Sequence, residues 1–166
     1  MKINHKVFVI VSLIIGLISL NCNGENPVID LSDPSTFPGT YKIVSITDIT
    51  GADYGQAGLT VTAGEPTTIT VQEGDINLSM TLTLTGSLTL TDSRYTFSQT
   101  IKMSFAGLAE ETETVDDAGT YTIAGSTITI ASDNEDDDPE TGTISVNKNE
   151  MTLEFEDQKV VLEKQS

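Results

Sequence analysis

Three stretches of the chain alternate between apolar and polar residues, and this alternation limits the possible folds more than any other feature. The stretches are Asn77–Thr85, Arg94–Phe105 and Met151–Glu156, and Gln99 is the one polar residue on the apolar face of the second. A period of two residues places alternate side chains on opposite faces of a β-strand, and antiparallel sheets commonly have one apolar and one solvated face. The alternation therefore predicts an all-β fold of antiparallel strands.

Shorter strands are predicted between these stretches, because their abundant threonines suit the pleated surface of a sheet. The predicted shorter strands are Tyr41–Thr47, Leu59–Thr62, Thr67–Gln72, Ser87–Thr91, Thr120–Ile123, Ser126–Ala131, Gly142–Asn147 and Gln158–Leu162. No part of the chain beyond the N-terminal region has a convincing helical period, although Asp48–Gly58 or Ala106–Glu113 could hold a short helix.

Tight polar turns connect many of these strands to the next one. Ala124-Gly125 and Lys148-Asn149 each join two strands, and Gly86 is predicted to interrupt the central region. Such links imply sequential hairpins, and an up-and-down meander must hide its two edges, which a closed barrel does completely. We therefore predict an antiparallel up-and-down meander that closes into a barrel, with a two-sheet β-sandwich as the alternative.

Inside a barrel, the apolar faces of the strands would surround either a ligand pocket or a packed core. An eight-stranded barrel can be just filled by side chains or can hold one small ligand. The predicted interior residues, which are also the candidate ligand-binding residues, are Leu82, Leu84, Tyr95, Phe97, Met103, Tyr121, Ile123, Met151, Leu153 and Phe155. Alternation does not give the volume between these side chains, so both interpretations stay open.

The N-terminal region has the layout of an export signal. A basic head with Lys2 and Lys6 precedes the apolar run Val7–Leu20. This run is shorter than the about 20 apolar residues that span a membrane, and it matches the plan of a secretory signal peptide. The only cysteine, Cys22, comes directly after the run and before a polar stretch rich in proline. That stretch favours a flexible connection to the folded domain.

This arrangement resembles the signal of bacterial lipoproteins, in which a cysteine becomes the first mature residue and carries acyl chains. The usual leucine and small residue before the cysteine are replaced here by Ser19 and Asn21. The resemblance implies a lipoprotein signal peptide over residues 1–21, a lipid-anchored tether over 22–38 and a barrel domain over 39–166. It also implies export and anchoring to the bacterial outer membrane, on its periplasmic or cell-surface side, through acylated Cys22. The alternative is a plain secretory signal followed by an unpaired thiol.

Composition excludes several classes of function. The chain has 25 acidic and 8 basic residues and a formal net charge of −17, so it repels nucleic acid and anionic head groups. Its only histidine, His5, lies in the predicted signal. The mature chain therefore lacks the histidine of Ser-His and Cys-His nucleophile systems and of most zinc and copper sites. We predict no enzymatic activity, no metal and no cofactor.

Two acidic runs, Glu110–Asp117 and Asp133–Glu140, contain enough carboxylates to suggest calcium. The second run fails the calcium-loop pattern because Asp138 stands where a glycine must make the sharp turn. We predict that both runs are solvated loops that keep the protein soluble.

Three segments resemble bacterial lipocalin-like domains of the calycin kind. They are Phe37–Ile46, Asp116–Ser132 and Gly142–Lys164. The resemblance implies an up-and-down barrel whose interior can hold a small apolar ligand. The family's opening Gly-x-Trp signature would have Tyr41 in place of the tryptophan. The arginine that often stacks on that tryptophan from the last strand would be replaced by Lys159 or Lys164.

Two hypotheses for function follow. In the first, a membrane-anchored barrel binds a small, lipid-like apolar ligand. In the second, a non-catalytic structural or surface-interaction lipoprotein has a filled barrel or sandwich. An internal apolar cavity larger than about 300 Å³ and open at one end would favour the first hypothesis, and a filled core would favour the second. In both, the membrane is a partner through Cys22, and any protein partner is unknown.

Overall fold

The structure, a computed structural model, describes residues 28–51, 56–73, 76–105 and 110–166. The predicted signal peptide, the candidate lipidation site Cys22 and residues 22–27 of the predicted tether lie outside the described residues.

Ten β-strands and one 3₁₀ turn, Pro34–Thr36, account for the regular structure of the described residues. The strands are β1 (Gly39–Asp48), β2 (Leu59–Thr62), β3 (Thr67–Glu73), β4 (Ile76–Leu90), β5 (Arg94–Phe105), β6 (Glu111–Ala124), β7 (Thr127–Ser132), β8 (Glu140–Asn147), β9 (Glu150–Glu154) and β10 (Gln158–Lys164). The described parts of Asp48–Gly58 and Ala106–Glu113 contain no α-helix, and Glu111–Glu113 is strand.

The strands form a closed, eight-stranded antiparallel barrel with up-and-down order. Strands β4 to β9 each pair with the next strand along the chain, and the last strand, β10, pairs with β1. The barrel closes where Gly39–Lys42 of β1 pair with Ser87–Leu90 of β4. The predicted barrel is thereby confirmed, and the sandwich alternative is not the fold.

Strands β2 and β3 fill the fork between β1 and β4 at the other end of the barrel. Strand β2 pairs with Ser45–Asp48, and β3 pairs with the first half of β4. The amide of Ala63 donates to the carbonyl of Val44 at 2.8 Å, and the amide of Gly64 donates to that of Leu84 at 2.8 Å. The connection between β2 and β3 is therefore held by hydrogen bonds to both diverging strands.

Two predictions about single strands were wrong. Gly86 does not interrupt the chain, since β4 runs for 15 residues through both Asn77–Thr85 and Ser87–Thr91, ending at Leu90. The strand has a glycine here because Ile43 occupies the space on the inner side of Gly86. A Cβ at Gly86 would lie 2.5 Å from the Cδ1 of Ile43. A glycine inside a strand often marks such a close approach.

The acidic run Glu110–Asp117 was also misjudged, because all but its first residue belongs to β6. The run alternates acids with threonine and valine, and it pairs residue by residue with β5. Cross-strand pairing and the β-branched residues outweigh the low strand propensity of the acids. The second run behaves as predicted from Asp133 to Pro139, and only Glu140 joins a strand.

The N-terminal end of the described chain, which belongs to the predicted tether over residues 22–38, packs against the barrel at two positions. Ile29 is 3% exposed and Phe37 is 2% exposed, and both belong to the hydrophobic core. The amide of Ile29 donates to the carbonyl of Lys148 at 2.9 Å. Because prolines and polar residues dominate the segment, its composition does not indicate that Ile29 and Phe37 are buried.

The same segment closes one end of the barrel around Tyr41. The Tyr41 side chain is fully buried, and its hydroxyl donates to the carbonyl of Phe37 at 2.6 Å. The ammonium of Lys164, on the last strand, lies 5.8 Å from the centre of the Tyr41 ring and donates to the carbonyl of Thr36. A cation at this distance from an aromatic face is attracted by the ring.

Candidate functional site

Half of the predicted interior residues surround one cavity, and the others fill the core or lie at its margin. The predicted residues that line the cavity are Tyr95, Phe97, Tyr121, Leu153 and Phe155. Those that are buried in the core outside the cavity lining are Leu82, Leu84 and Met151. Met103 and Ile123 are partly buried and pack against the core.

Six further residues complete the cavity wall, and the sequence reasoning did not select them. They are Leu88, Leu90, Ile128, Ile130, Gln158 and Val160. All six lie in predicted strands, so strand alternation could have placed the apolar ones inside the barrel. Which inward side chains surround an empty space depends on how neighbouring strands are staggered, and alternation within one strand does not carry that information.

The cavity is apolar and small. Its volume is about 40 Å³. Pockets that enclose a drug-sized ligand measure about 300–1,000 Å³. A cavity of this size corresponds to space for roughly three water molecules. By the volume criterion, this cavity has room only for a small group.

Both tyrosines of the cavity wall use their hydroxyls to bind the barrel itself. Tyr95 donates to a carboxylate oxygen of Asp117, and Tyr121 donates to the carbonyl of Thr91 at 2.5 Å. Burial raises the pKa of Tyr95 above its usual value of 10, and the bond to Asp117 raises that pKa further. Burial also raises the pKa of Tyr121. Both side chains are therefore neutral phenols at physiological pH.

Asp117 is a buried carboxylate beside the cavity. It is 8% exposed and lies on β6 on the same face as Gly119 and Tyr121. Its second oxygen accepts a hydrogen bond from the hydroxyl of Ser132 at 2.7 Å. The prediction that Asp117 lies in a solvated loop was wrong, and continuing the alternation backwards from Tyr121 places Asp117 inside the barrel.

Further carboxylates lie near Asp117 at this end of the barrel. Burial raises the pKa of Glu140 above its usual 4.5, and the negative charges of Asp157, Asp137 and Asp117 raise that pKa further. The four acids come from β6, β8 and the two loops that precede β8 and β10. This part of the barrel therefore has a strongly negative potential.

Replacing Glu140 with glutamine should stabilise the protein at neutral pH. Because folding raises the pKa of Glu140, the native state binds this proton more tightly than the unfolded state. The carboxyl therefore favours folding below its usual pKa of 4.5, and that contribution is lost as the pH rises through the folded value. The stabilising effect of Glu140→Gln, measured by urea unfolding, should disappear as the pH falls below 4.5.

Glu154→Gln provides the matched control for that measurement, because Glu154 is exposed like Glu140 but alternates with the buried Met151 and Leu153 and so lies on the outer face of the barrel. An equal stabilisation by both variants at every pH would show that only the net charge matters and would contradict a specific role for position 140.

The described residues contain no group of three His, Cys, Asp or Glu side chains arranged to hold a metal ion. Within the same ranges, no helix has the length and apolar character needed to cross a membrane. Comparison of the chain with protein-family models, with curated proteins and with solved structures finds no match. Function must therefore be argued from the barrel and its cavity.

Proposed function

We propose that this chain is a non-catalytic lipoprotein, anchored to a membrane through acylated Cys22, whose largely filled barrel serves as a structural or surface-interaction module. The observation that supports this proposal is the small volume, about 40 Å³, of the apolar cavity that lies beside the hydrophobic core of the described residues. An interior that is filled by its own side chains has no space for a whole lipid. Contacts with other molecules are then made by the outside of the barrel and its loops.

A lipocalin-like origin for this module is part of the proposal. It is supported by the closed up-and-down barrel and by the pair formed by Tyr41 and Lys164. Tyr41 stands at the tryptophan position of the family signature, and a cation from the last strand lies over its ring, as the family's arginine does over the tryptophan. On this proposal, Tyr41 and Lys164 take the places of the family's tryptophan and arginine.

Native mass spectrometry of the gently purified, full-length protein tests the filled barrel. We expect the mass of the acylated chain alone, because a cavity of about 40 Å³ does not enclose a lipid. A discrete additional mass in the range of a fatty acid or phospholipid, lost on collisional activation, would contradict a filled interior. It would restore the hypothesis of a lipid-binding barrel.

A second candidate function is the binding of a small apolar group in the cavity. One observation favours it: among the described residues that line the cavity, all except the two tyrosines carry no hydroxyl or charge, and Gln158 alone has a side-chain amide. Empty apolar cavities of this type take up small apolar molecules. This function and the structural role are compatible in one protein.

A further inference from the structure

The apolar cavity borders on acidic side chains at the same end of the barrel. Tyr95, a wall residue, donates its hydroxyl to Asp117. Glu140 lies opposite the wall residue Ile130 in the pairing of β7 with β8, so both side chains are on one face of the sheet. Asp157 directly precedes the wall residue Gln158. These acids are neighbours of wall residues and are not part of the wall itself, so their negative charge would act on a bound group from just outside the cavity.

Asp117 is the most buried of these acids, and no cationic side chain of the described residues forms an ion pair with it. The ion pairs among the described residues join Arg94 to Asp133 and Lys102 to Glu110, and neither involves Asp117. Its partners, Tyr95 and Ser132, donate neutral hydrogen bonds. A buried charge costs free energy unless it is paired, and hydrogen bonds from neutral donors compensate only part of that cost. The site therefore has a buried carboxylate with no ion-pair partner among the described residues.

The aromatic side chains in the wall of the cavity also favour the binding of a cation. Four of its residues are aromatic, namely Tyr95, Phe97, Tyr121 and Phe155. Aromatic faces attract ammonium groups, most strongly where water is excluded, and aromatic walls are the usual surroundings of bound quaternary ammonium groups. Apolar contact, ring attraction and the nearby acids all favour the same ligand chemistry.

We propose that the cavity binds a small organic cation, a methylated or short-chain alkylammonium group, whose charge is balanced by Asp117 and the neighbouring acids. The proposal rests on the second candidate function, the binding of a small group in the cavity. It also narrows that function to cationic ligands, because the same acids repel carboxylates and so exclude fatty-acid head groups. The space available, roughly that of three water molecules, suits a group of about four non-hydrogen atoms.

The test compares three probes of nearly the same shape and different charge. Choline carries a trimethylammonium group, its neutral isostere carries a tert-butyl group in that place, and the third probe carries a carboxylate beside the same tert-butyl group. Each is titrated into the full-length protein in one neutral detergent, and binding is followed by NMR chemical shifts. We expect choline to bind about ten-fold more tightly than the neutral isostere, and we expect no detectable binding of the anion.

Variants test whether Asp117 causes the preference for choline over the neutral isostere. Asp117→Asn should lower the preference for choline over the neutral isostere by about three-fold or more. Asp116→Asn, which removes a neighbouring exposed charge from the same strand, should leave the preference unchanged. If Asp117→Asn does not fold, Glu140→Gln provides the second variant, with Glu154→Gln as its control.

The outcomes separate this inference from the function on which it rests. Equal binding of choline and the neutral isostere, or tighter binding of the anion, would overturn the cation preference while keeping a cavity that binds small groups. Equal losses in Asp117→Asn and Asp116→Asn would also overturn it, because the whole surface charge would then be responsible. No binding of any probe would overturn both the cation site and the second candidate function.

Discussion

Replacing Gly86 with valine is expected to destabilise the barrel by about 3 kcal/mol or more. A Cβ at this position would lie 2.1 Å from the carbonyl oxygen of Ser98, 2.5 Å from the Cδ1 of Ile43 and 3.0 Å from the Cα of Gln99. Two of these three contacts involve the backbone of β5, which cannot move aside as a flexible side chain can. Relief therefore requires β4 and β5 to separate in the middle of their long pairing.

Thermal unfolding followed by circular dichroism measures this effect. We expect a loss of roughly 10 °C in the midpoint, because each kcal/mol corresponds to a few degrees in a domain of this size. The control is Thr85→Val, which introduces the same side chain at the adjacent, exposed position of the same strand. Valine is favourable on an exposed strand, so this control should change the midpoint little. Equal midpoints for the two variants would show that β4 and β5 have room for a side chain at Gly86.

The strands could be predicted wherever one face of the sheet is apolar and the other is polar. Strand β5 matches the predicted Arg94–Phe105 at both ends, and β2 matches the predicted Leu59–Thr62. The hairpin turns at Ala124-Gly125 and Lys148-Asn149 were also predictable, because each lies between two alternating stretches. In the structure, Gly125 and Lys148 adopt the positive φ values that tight turns require. These features depend on residues that are close together in the chain, so they can be predicted from the sequence.

The errors come from contacts between residues that are distant along the chain. Gly86 resembles a strand breaker until Ile43 is known to occupy the space beside it. Ile29 and Phe37 are isolated apolar residues in a polar segment, and only the docked structure shows that they are buried. The start of β6 looks like an acidic loop until β5 is seen to pair with it. In each case, tertiary packing determines a conformation that local propensity does not favour.

The candidate site was predictable in its chemistry but not in its size or charge. Inward alternation selected five of the residues that line the cavity, including four with aromatic rings: Tyr95, Phe97, Tyr121 and Phe155. The volume of the cavity depends on how side chains from opposite strands interlock, which alternation does not describe. The acids beside it come from two strands and two loops, and only closure of the barrel brings them together.

Replacing Cys22 with alanine is expected to move nearly all of the protein from the membrane to the soluble fraction. The anchor is proposed from the position of this one cysteine, directly after the apolar run Val7–Leu20. Each buried CH₂ group of an acyl chain contributes about 0.8 kcal/mol, and one chain alone gives only reversible binding, so stable anchoring needs more than one. No other attraction is expected to hold the chain on an anionic membrane, because its formal net charge is −17.

Fractionation of cells that express each variant, followed by intact-mass measurement, tests the anchor directly. The matched control is Asn23→Ala, which changes the neighbouring residue and keeps the thiol, and this variant should remain in the membrane with the mass of its acyl chains. Removal of the signal region from the Cys22→Ala variant has to be checked in the same experiment, since an uncleaved apolar run would also bind lipid. A processed Cys22→Ala protein that still sediments with the membrane would contradict acylation as the anchor. In that case the barrel or its loops must bind the membrane or a membrane protein, although the acidic composition disfavours contact with anionic lipids.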